Sequence, residues 1–447
     1  MNIIFRCTRR FLEEVRHDLA RPHRFAAERV GFISVRPAAT ARSLVLIAEA
    51  YHPVADQDYL DDPSVGAMMG PEAIRKALDI ALLQNVGVFH VHMHEHSGRS
   101  GFSGTDLREQ TKFVPDFFTI CPTMPHGAIV LSRDLAAGRV WLSPSQLLPI
   151  NELNVVGSPM TIDLADPKAQ SATAGDDFSR QSFLGPGSDH LLANTRALIV
   201  GLGGGGSHIA QQLAHIGVGE IRVVDPQEIE ASNLNRLVGA TARDVELTTP
   251  KVKIAERMIR GVRPWINVVA SQASWKQVAD LLIDCHVVFG CVDGYRERKY
   301  IEAAARRFSV PYFDIGMDIT QPVDRYFAVA GQMIASFPEG PCMSCMGFLT
   351  QDRLNQEEDE YGAAGGVPQV IWTNGTLASL AVGAFMRIIT PWFPYTAGYE
   401  WLELDGNSQT VTRSEQPEYN IPGPCPHFPP QDQGDPFFDV SKLSPRS

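Results

Sequence analysis

Long apolar runs are missing from this chain. No stretch approaches the roughly 20 consecutive apolar residues of a bilayer-spanning helix, so no membrane partner is expected. The opening "MNIIFRCTRRFLEEVRHDL" turns charged too soon for a signal peptide. Positive charge is also short: 39 Lys and Arg stand against 51 Asp and Glu, a net charge of −12. That balance argues against a nucleic-acid partner. Cysteine is sparse and odd in number, seven in 447 residues, which excludes a full disulfide framework. These absences point to a cytoplasmic protein, where paired cysteines mean metal more often than disulfide.

What is present is an alternation of strand and helix patterns, long enough for two or three domains. "RVGFISVRP", "SLVLIAEAYHPV", "VGVFHVHMH", "GAIVLSRD" and "AGRVWLS" read as strands, and "GPEAIRKALDIALLQN" as a helix with Pro71 near its start. The texture then becomes polar and aperiodic, which sets a linker over 163–175 between domains at 1–162 and 176–447. The second domain opens with "RALIVGLGGGG", "SHIAQQLAHIGV" and "EIRVVDP", a βαβ pattern that predicts a doubly wound, mostly parallel sheet.

Within "HVHMHEHSGRSGFSGTD", His90, His92 and His94 share one face of a strand, so two of them can meet one metal ion. Neutral imidazole suits zinc, and Asp106, at the predicted start of a helix, can add a third ligand. Ser103 can cap that helix or donate to a developing oxyanion. These residues resemble the JAB/JAMM metalloproteases, which carry a Glu, then H-x-H, then S-x-x-D, and cleave after the C-terminal glycine of ubiquitin or its relatives. The strand "VGVFHVH" leading into H-x-H favours His90 and His92 as ligands. Ser103 stands further from the second histidine than the family's usual gap, so His92/His94 remains open. "AAERVGFIS" matches the family's glutamate context and nominates Glu28 as general base.

"IVGLGGGGSHIAQQLA" offers G-x-G-x-x-G at Gly201, Gly203 and Gly206, between a strand and a helix. Such a loop lets backbone approach phosphate, and Asp225, ending the next strand, would bind a ribose. A dinucleotide oxidoreductase would show the same two features. The continuation separates the readings. "VVDPQEIEASNLNR" resembles ThiF/MoeB-type and ubiquitin-activating enzymes, which adenylate the C-terminal carboxylate of a ubiquitin-fold protein. "FSRQSF", "TTPKVKIAERMI" and "VVFGCVDGYRERKYI" match further segments of that family in order. The resemblance implies ATP and Mg²⁺ as cofactors. It assigns nucleotide contacts to Asn233, Arg236 and Lys251, magnesium to Asp293, and a phosphate contact across a homodimer interface to Arg180.

"GPCMSCMGF" supplies Cys342 and Cys345, and "GPCPHF" supplies Cys425 and His427, a possible Cys₃His zinc set. The resembled family often binds a structural zinc with two such separated pairs. Its cysteine-using members also carry a nucleophilic cysteine where Tyr361 aligns here, so no covalent acyl-enzyme is expected.

The combined expectation is an α/β chain: a JAB-like domain, then a Rossmann-like ThiF/MoeB-type adenylation domain. One half would process a ubiquitin-like protein as a zinc isopeptidase. The other would activate it, with a conjugating enzyme as a further partner. The alternative is activation and processing of a sulfur-carrier protein for cofactor or amino-acid synthesis.

Overall fold

The computed structural model describes residues 1–22, 28–61, 67–94, 97–98, 101–133, 136–165, 176–321, 326–360, 368–393, 398–417 and 425–443. Most of the expected linker, and Tyr361, lie outside them. The chain divides into two compact units, one of Met1–Val156, Thr161–Gln170 and Pro430–Ser447, the other of Gly157–Met160 and Ser171–Pro429. The last strip of chain, assigned by sequence to the second domain, thus belongs to the first unit.

The first unit carries β1 (Asn2–Thr8), α1 (Arg9–Leu19), β2 (Val30–Ala39), β3 (Ser43–Pro53), β4 (Tyr59–Leu60), β5 (Met68–Met69), α2 (Pro71–Gln84), β6 (Gly87–Met93), α3 (Gly104–Ile120), β7 (His126–Leu131), β8 (Ala136–Ser143), β9 (Gln146–Pro149), β10 (Glu152–Val156) and β11 (Thr161–Leu164). Its main sheet runs β11-β10-β1-β3-β2-β6-β7-β8-β9. Strand alternation explains the core. Ile3, Phe5 and Cys7 of β1 pack with Phe11, Leu12, Val15 and Leu19 of α1. In α2 the buried stripe is Ala73, Ala77 and Ala81, at the i, i+4 spacing of one helix face. β11 extends this sheet through Leu164, so the first two residues of the expected linker are strand.

His126 shows how such a core fixes a protonation state. Its Nδ1 accepts from the Val88 N–H at 3.2 Å and its Nε2 lies 3.1 Å from the Cys121 carbonyl, so only the neutral ring protonated at Nε2 satisfies both. Burial pulls its pKa from 6.5 down to about 4, against the raising effect of the Cys121 carbonyl. The unfolded chain therefore binds the extra proton first. Stability from this group is complete above about pH 6.5 and is lost as pH falls toward 4, a loss on the order of 3 kcal/mol. His126→Gln should flatten this part of the profile when urea unfolding is followed at several pH values. Parallel profiles for the two proteins would refute the assignment.

The second unit carries α4 (Ser188–Ala193), β12 (Arg196–Val200), α5 (Gly204–Ile216), β13 (Glu220–Val224), α6 (Ala242–Glu246), α7 (Lys251–Val262), β14 (Asn267–Ser271), α8 (Asp280–Ile283), β15 (Val287–Gly290), α9 (Tyr295–Arg307), β16 (Tyr312–Thr320), β17 (Ala328–Ser336), α10 (Gln351–Glu360), α11 (Ile371–Ile389), β18 (Tyr399–Asp405) and β19 (Thr410–Arg413). The sheet order is β14-β13-β12-β15-β16-β17-β18-β19. Pairing is parallel from β14 to β16 and antiparallel from β16 to β19. Ala197 and Ile199 of β12 enter one core with α5, α7 and α11, and Leu198 and Val200 enter another with α8 and α9. Helices therefore cover both faces, as the near-continuous apolar strands require. Strand order reverses between β12 and β15, and in open α/β sheets ligands bind at that crevice. Among the described residues, no helix is long and apolar enough to cross a membrane.

Candidate functional sites

The glycine loop leaves the end of β12 at that crevice. Gly201 has φ of 90°, and a Cβ on Gly206 would lie 1.9 Å from the Gly201 carbonyl oxygen. Only glycine at 206 lets the turn close onto the first turn of α5. Gly203, the N-cap of α5, has nothing within 4 Å of its Cβ position, so the loop is open there to an anion at the helix N-terminus. A Cβ on Gly204 would meet the Asn374 amide at 2.5 Å, which sets the first turn of α11 against this loop.

Two chains of hydrogen bonds gather most of the sequence-predicted residues around it. Asp225 accepts from Leu202 N at 2.7 Å and from Gln227 N at 2.8 Å, and buried Lys251 donates to Gln227 Oε1 at 2.6 Å. On the other side, Arg236 donates to Asn235 Oδ1 at 2.9 Å, and Asn235 donates to the Gln369 carbonyl at 3.0 Å. The Gln369 amide reaches Asp293 Oδ1 at 3.3 Å, one residue before the Gly294 N-cap of α9. The N-termini of α5, α9 and α11 are thus linked at one place, where their dipoles favour a polyphosphate. Asp293 offers the carboxylate that magnesium prefers beside phosphate. Asn233 is tied up locally: its Oδ1 accepts from Glu230 N at 3.2 Å. Gln227, Gln369 and Asn374 were not singled out by sequence. Their only signals were position, two residues after Asp225 and at the start of a helix.

Arg180 is not brought to this place. It is exposed on a 3-10 helix over Asp176–Leu184. Phe178 packs where a Cβ on Gly217 would be 2.6 Å away, at the C-cap of α5, and Arg263 lies 4.2 Å over its ring. After the segment, Gly185 meets Pro391, beyond the C-terminal end of α11. Both flanks are held at the helix ends opposite the glycine loop.

In the first unit, ligand atoms of Glu28, His92 and His94 all lie within 4.8 Å of one another. Asp106 Oδ1 is 3.6 Å from His92 Nε2. A reciprocal capping box aims that carboxylate: Ser103 N donates to Asp106 Oδ2 at 2.6 Å, and Ser103 Oγ accepts from Asp106 N at 3.1 Å. Burial raises the Asp106 pKa, but the neighbouring His92 ring and the hydrogen bonds with Ser103 outweigh it and hold the carboxyl far below its usual range. The pair meeting Glu28 is therefore His92/His94 rather than His90/His92. β6 ends at Met93, so His92 and His94 stand at the strand's exit while His90 sits deeper, its ring 5.8 Å from Phe32 and 6.0 Å from Phe113. The nitrogens of both His90 and His92 are buried without a hydrogen bond, an expensive state that a divalent cation would relieve at His92, whose Nε2 faces the Asp106 carboxylate.

In the second unit, Cys342, Cys345, Cys425 and His427 converge. The sulfurs of Cys342/Cys345 and of Cys345/Cys425 are 3.6 Å apart, and His427 Nδ1 is 3.3 Å from Cys342 and Cys345 and 4.0 Å from Cys425. Tetrahedral zinc, with bonds of ~2.3 Å to sulfur and ~2.0 Å to nitrogen, sets such ligands about 3.5–3.8 Å apart. The set fits zinc. The other thiols do not fit a nucleophile: burial pushes Cys285 up to about 11 and raises Cys291 further still.

The ThiF family profile matches residues 178–422. The SAMP-activating enzyme E1 of Haloferax volcanii is 30% identical over 180 residues, covering 39% of this chain and 63% of that protein. The sulfur carrier protein ThiS adenylyltransferase of Bacillus subtilis is 26% identical over 178 residues, covering 38% and 49%. Its Escherichia coli namesake is 30% identical over 224 residues, covering 48% and 82%. The chain thus spans 63% and 49% of the first two relatives' lengths.

The loop geometry separates two substitutions. Gly206→Ala should lower the melting temperature, because the methyl collides with backbone, at a cost of about 2 kcal/mol or more. Gly203→Ala should melt like the parent yet lose stabilisation by Mg·ATP, because the methyl enters the anion's space. Scanning fluorimetry with and without nucleotide reads both. A Gly203→Ala protein still fully stabilised by ATP would contradict the placement.

Proposed function

Since the chain belongs to the ThiF family, we propose that its second unit adenylates the C-terminal carboxylate of a ubiquitin-fold carrier protein, with ATP as co-substrate. A sulfur carrier is the favoured carrier class, because two of the relatives above are named as sulfur-carrier adenylyltransferases. This reverses the order of the two sequence readings, which put conjugation first. The observation that carries the proposal is the linkage of the glycine loop, Asp225, Lys251, Arg236 and Asp293 around three helix N-termini.

In this reaction a carboxylate oxygen attacks the α-phosphorus of ATP, the α–β bridging bond breaks, and pyrophosphate leaves. Negative charge accumulates on phosphoryl oxygens, and Lys251 and Arg236 are the cations that counter it. Magnesium at Asp293 would add charge neutralisation at the polyphosphate. Gln369 holds the Asp293 carboxylate, and Asp225 positions the loop through Leu202 N while offering its free lone pairs to a ribose. With Cys285 buried, Cys291 half-buried and both held poorly ionised by desolvation, the activated acyl group passes to another molecule.

The homodimer belongs to the same reading. Arg180 is anchored away from its own loop, which supports the expected homodimer, in which it would serve the site of a second chain. Asp293→Ala and Lys251→Ala should each reduce carrier-dependent ATP–pyrophosphate exchange by 100-fold or so, in line with the loss of one charge-stabilising group. Arg180→Ala should do likewise, and mixing Arg180→Ala with Lys251→Ala chains should restore part of the exchange. Undiminished exchange in Asp293→Ala would sink the site. No recovery on mixing would sink the dimer.

A second reading concerns the first unit, and the Glu28/His92/His94 cluster with Asp106 carries it. We infer a JAB/JAMM-like zinc peptidase unit that trims or releases the carrier. Zinc held by His92, His94 and Asp106 would act as a Lewis acid there. Glu28, whose carboxylate lies within 4.8 Å of the His92 and His94 nitrogens, would take a proton from attacking water and deliver it to the leaving amine. Glu28→Gln should abolish cleavage of a carrier precursor or conjugate while zinc content stays at the parental level. Unchanged cleavage would remove Glu28 from the reaction.

A further inference from the structure

Two buried charged residues of α9 lie outside the nucleotide site, and the adenylation chemistry makes no use of them. Glu302 and Arg306 are one turn apart and only 1% and 5% exposed. Glu302 Oε1 accepts from Ser336 Oγ at 2.5 Å and from Met343 N at 2.8 Å, while its Oε2 is buried with no partner. Met343 follows Cys342 directly, so this carboxylate holds the backbone of the cysteine turn. Arg306 donates to the carbonyls of Gly340 at 2.8 Å and Pro341 at 2.7 Å, the two residues before Cys342. It also holds Ser336 Oγ at 2.7 Å and lies 5.5 Å over the ring of Phe428, the neighbour of His427.

Packing alone does not account for this arrangement. A buried carboxylate beside three thiol ligands places like charges together as those ligands ionise. Well-packed apolar residues of similar size usually match or exceed the stability of a buried ion pair. Residues that orient metal ligands are a different case, because they fix donor atoms before the ion arrives. The need is pronounced here: Cys425 and His427 join the site from some 80 residues further along the chain. A preformed Cys342/Cys345 half lowers the ordering cost of closing that loop.

We propose that Glu302 and Arg306 are the positioning residues of the Cys342/Cys345/Cys425/His427 metal site, Glu302 through the amide that follows Cys342 and Arg306 through the carbonyls that precede it and the ring that follows His427. The proposal rests on the reading of this cluster as a zinc site.

The test uses the full chain loaded with zinc, and with cobalt as a spectroscopic substitute. Zinc held at this site is the difference in metal content between the parent and Cys345→Ser. Glu302→Ala should weaken zinc at this site by about 10–100-fold in competition with a chromogenic chelator, the usual range for loss of a residue supporting a metal ligand. Its cobalt absorption should change in shape or intensity as the sulfur geometry relaxes. Glu302→Gln, whose amide oxygen can accept the same two bonds, should stay within a few-fold of the parent. If Glu302→Ala fails to fold, Ser336→Ala, which removes one of the two donors and an Arg306 contact, should give a smaller loss of the same kind. Parental affinity and an unchanged cobalt spectrum in Glu302→Ala, or in Ser336→Ala where that variant replaces it, would overturn the proposal. So would a Glu302→Gln protein as weak as Glu302→Ala. Equal metal content in the parent and Cys345→Ser would overturn the zinc-site reading itself, a separate failure.

Discussion

The second unit depends on one close approach: Gly206 passing so near the Gly201 carbonyl that a Cβ would sit 1.9 Å from it. This contact lets α5 begin directly at the end of β12, the strand at which the sheet order reverses. Asp225 reaches Leu202 N because the loop is that tight. Asn374 reaches Gly204 because there is no side chain to hold it off. The N-termini of α5 and α11 then meet at one place, α9 joins them through Asp293 and Gln369 while Glu357 takes its Arg296 N–H at 2.9 Å, and a polyphosphate is the ligand such a convergence of helix dipoles suits.

The same helix serves two sites. α9 starts one residue after Asp293, beside the proposed magnesium position, and later in its length presents Glu302 and Arg306 to the cysteine turn. Arg298 lies between them and is buried against Asp314. A helix fixed by buried polar contacts along its length keeps the Asp293 loop in register with the sheet. The cost of desolvating those charges is offset by a defined position, which catalysis by preorganised charge requires.

Much of this was legible in the sequence because motif residues act through backbone proximity. The spacing of Gly201, Gly203 and Gly206, the strand-end position of Asp225 and the helix start at Lys251 are local facts, and local patterns predict them. The residues that tie the site together were not legible. Gln369 meets Asp293 across 76 positions, and only the folded sheet brings them side by side. The histidine cluster shows a second limit. Alternation puts His90, His92 and His94 on one face, but it does not say where the strand leaves the sheet. Pairing stops at Met93, and this selects His92 and His94 as the pair that meets Glu28. The linker boundary was set too early for a related reason: "TIDL" looks unremarkable alone and becomes a strand by pairing with β10.

The central claim is that a carrier's C-terminal carboxylate attacks the α-phosphorus of ATP at the glycine loop. The most direct measurement places heavy oxygen in that carboxylate and follows the label by mass spectrometry after the activated carrier has been discharged by an added nucleophile. Attack at the α-phosphorus predicts AMP carrying one labelled oxygen, with pyrophosphate unlabelled. Label in inorganic phosphate with ADP as co-product, or AMP without label, would contradict it.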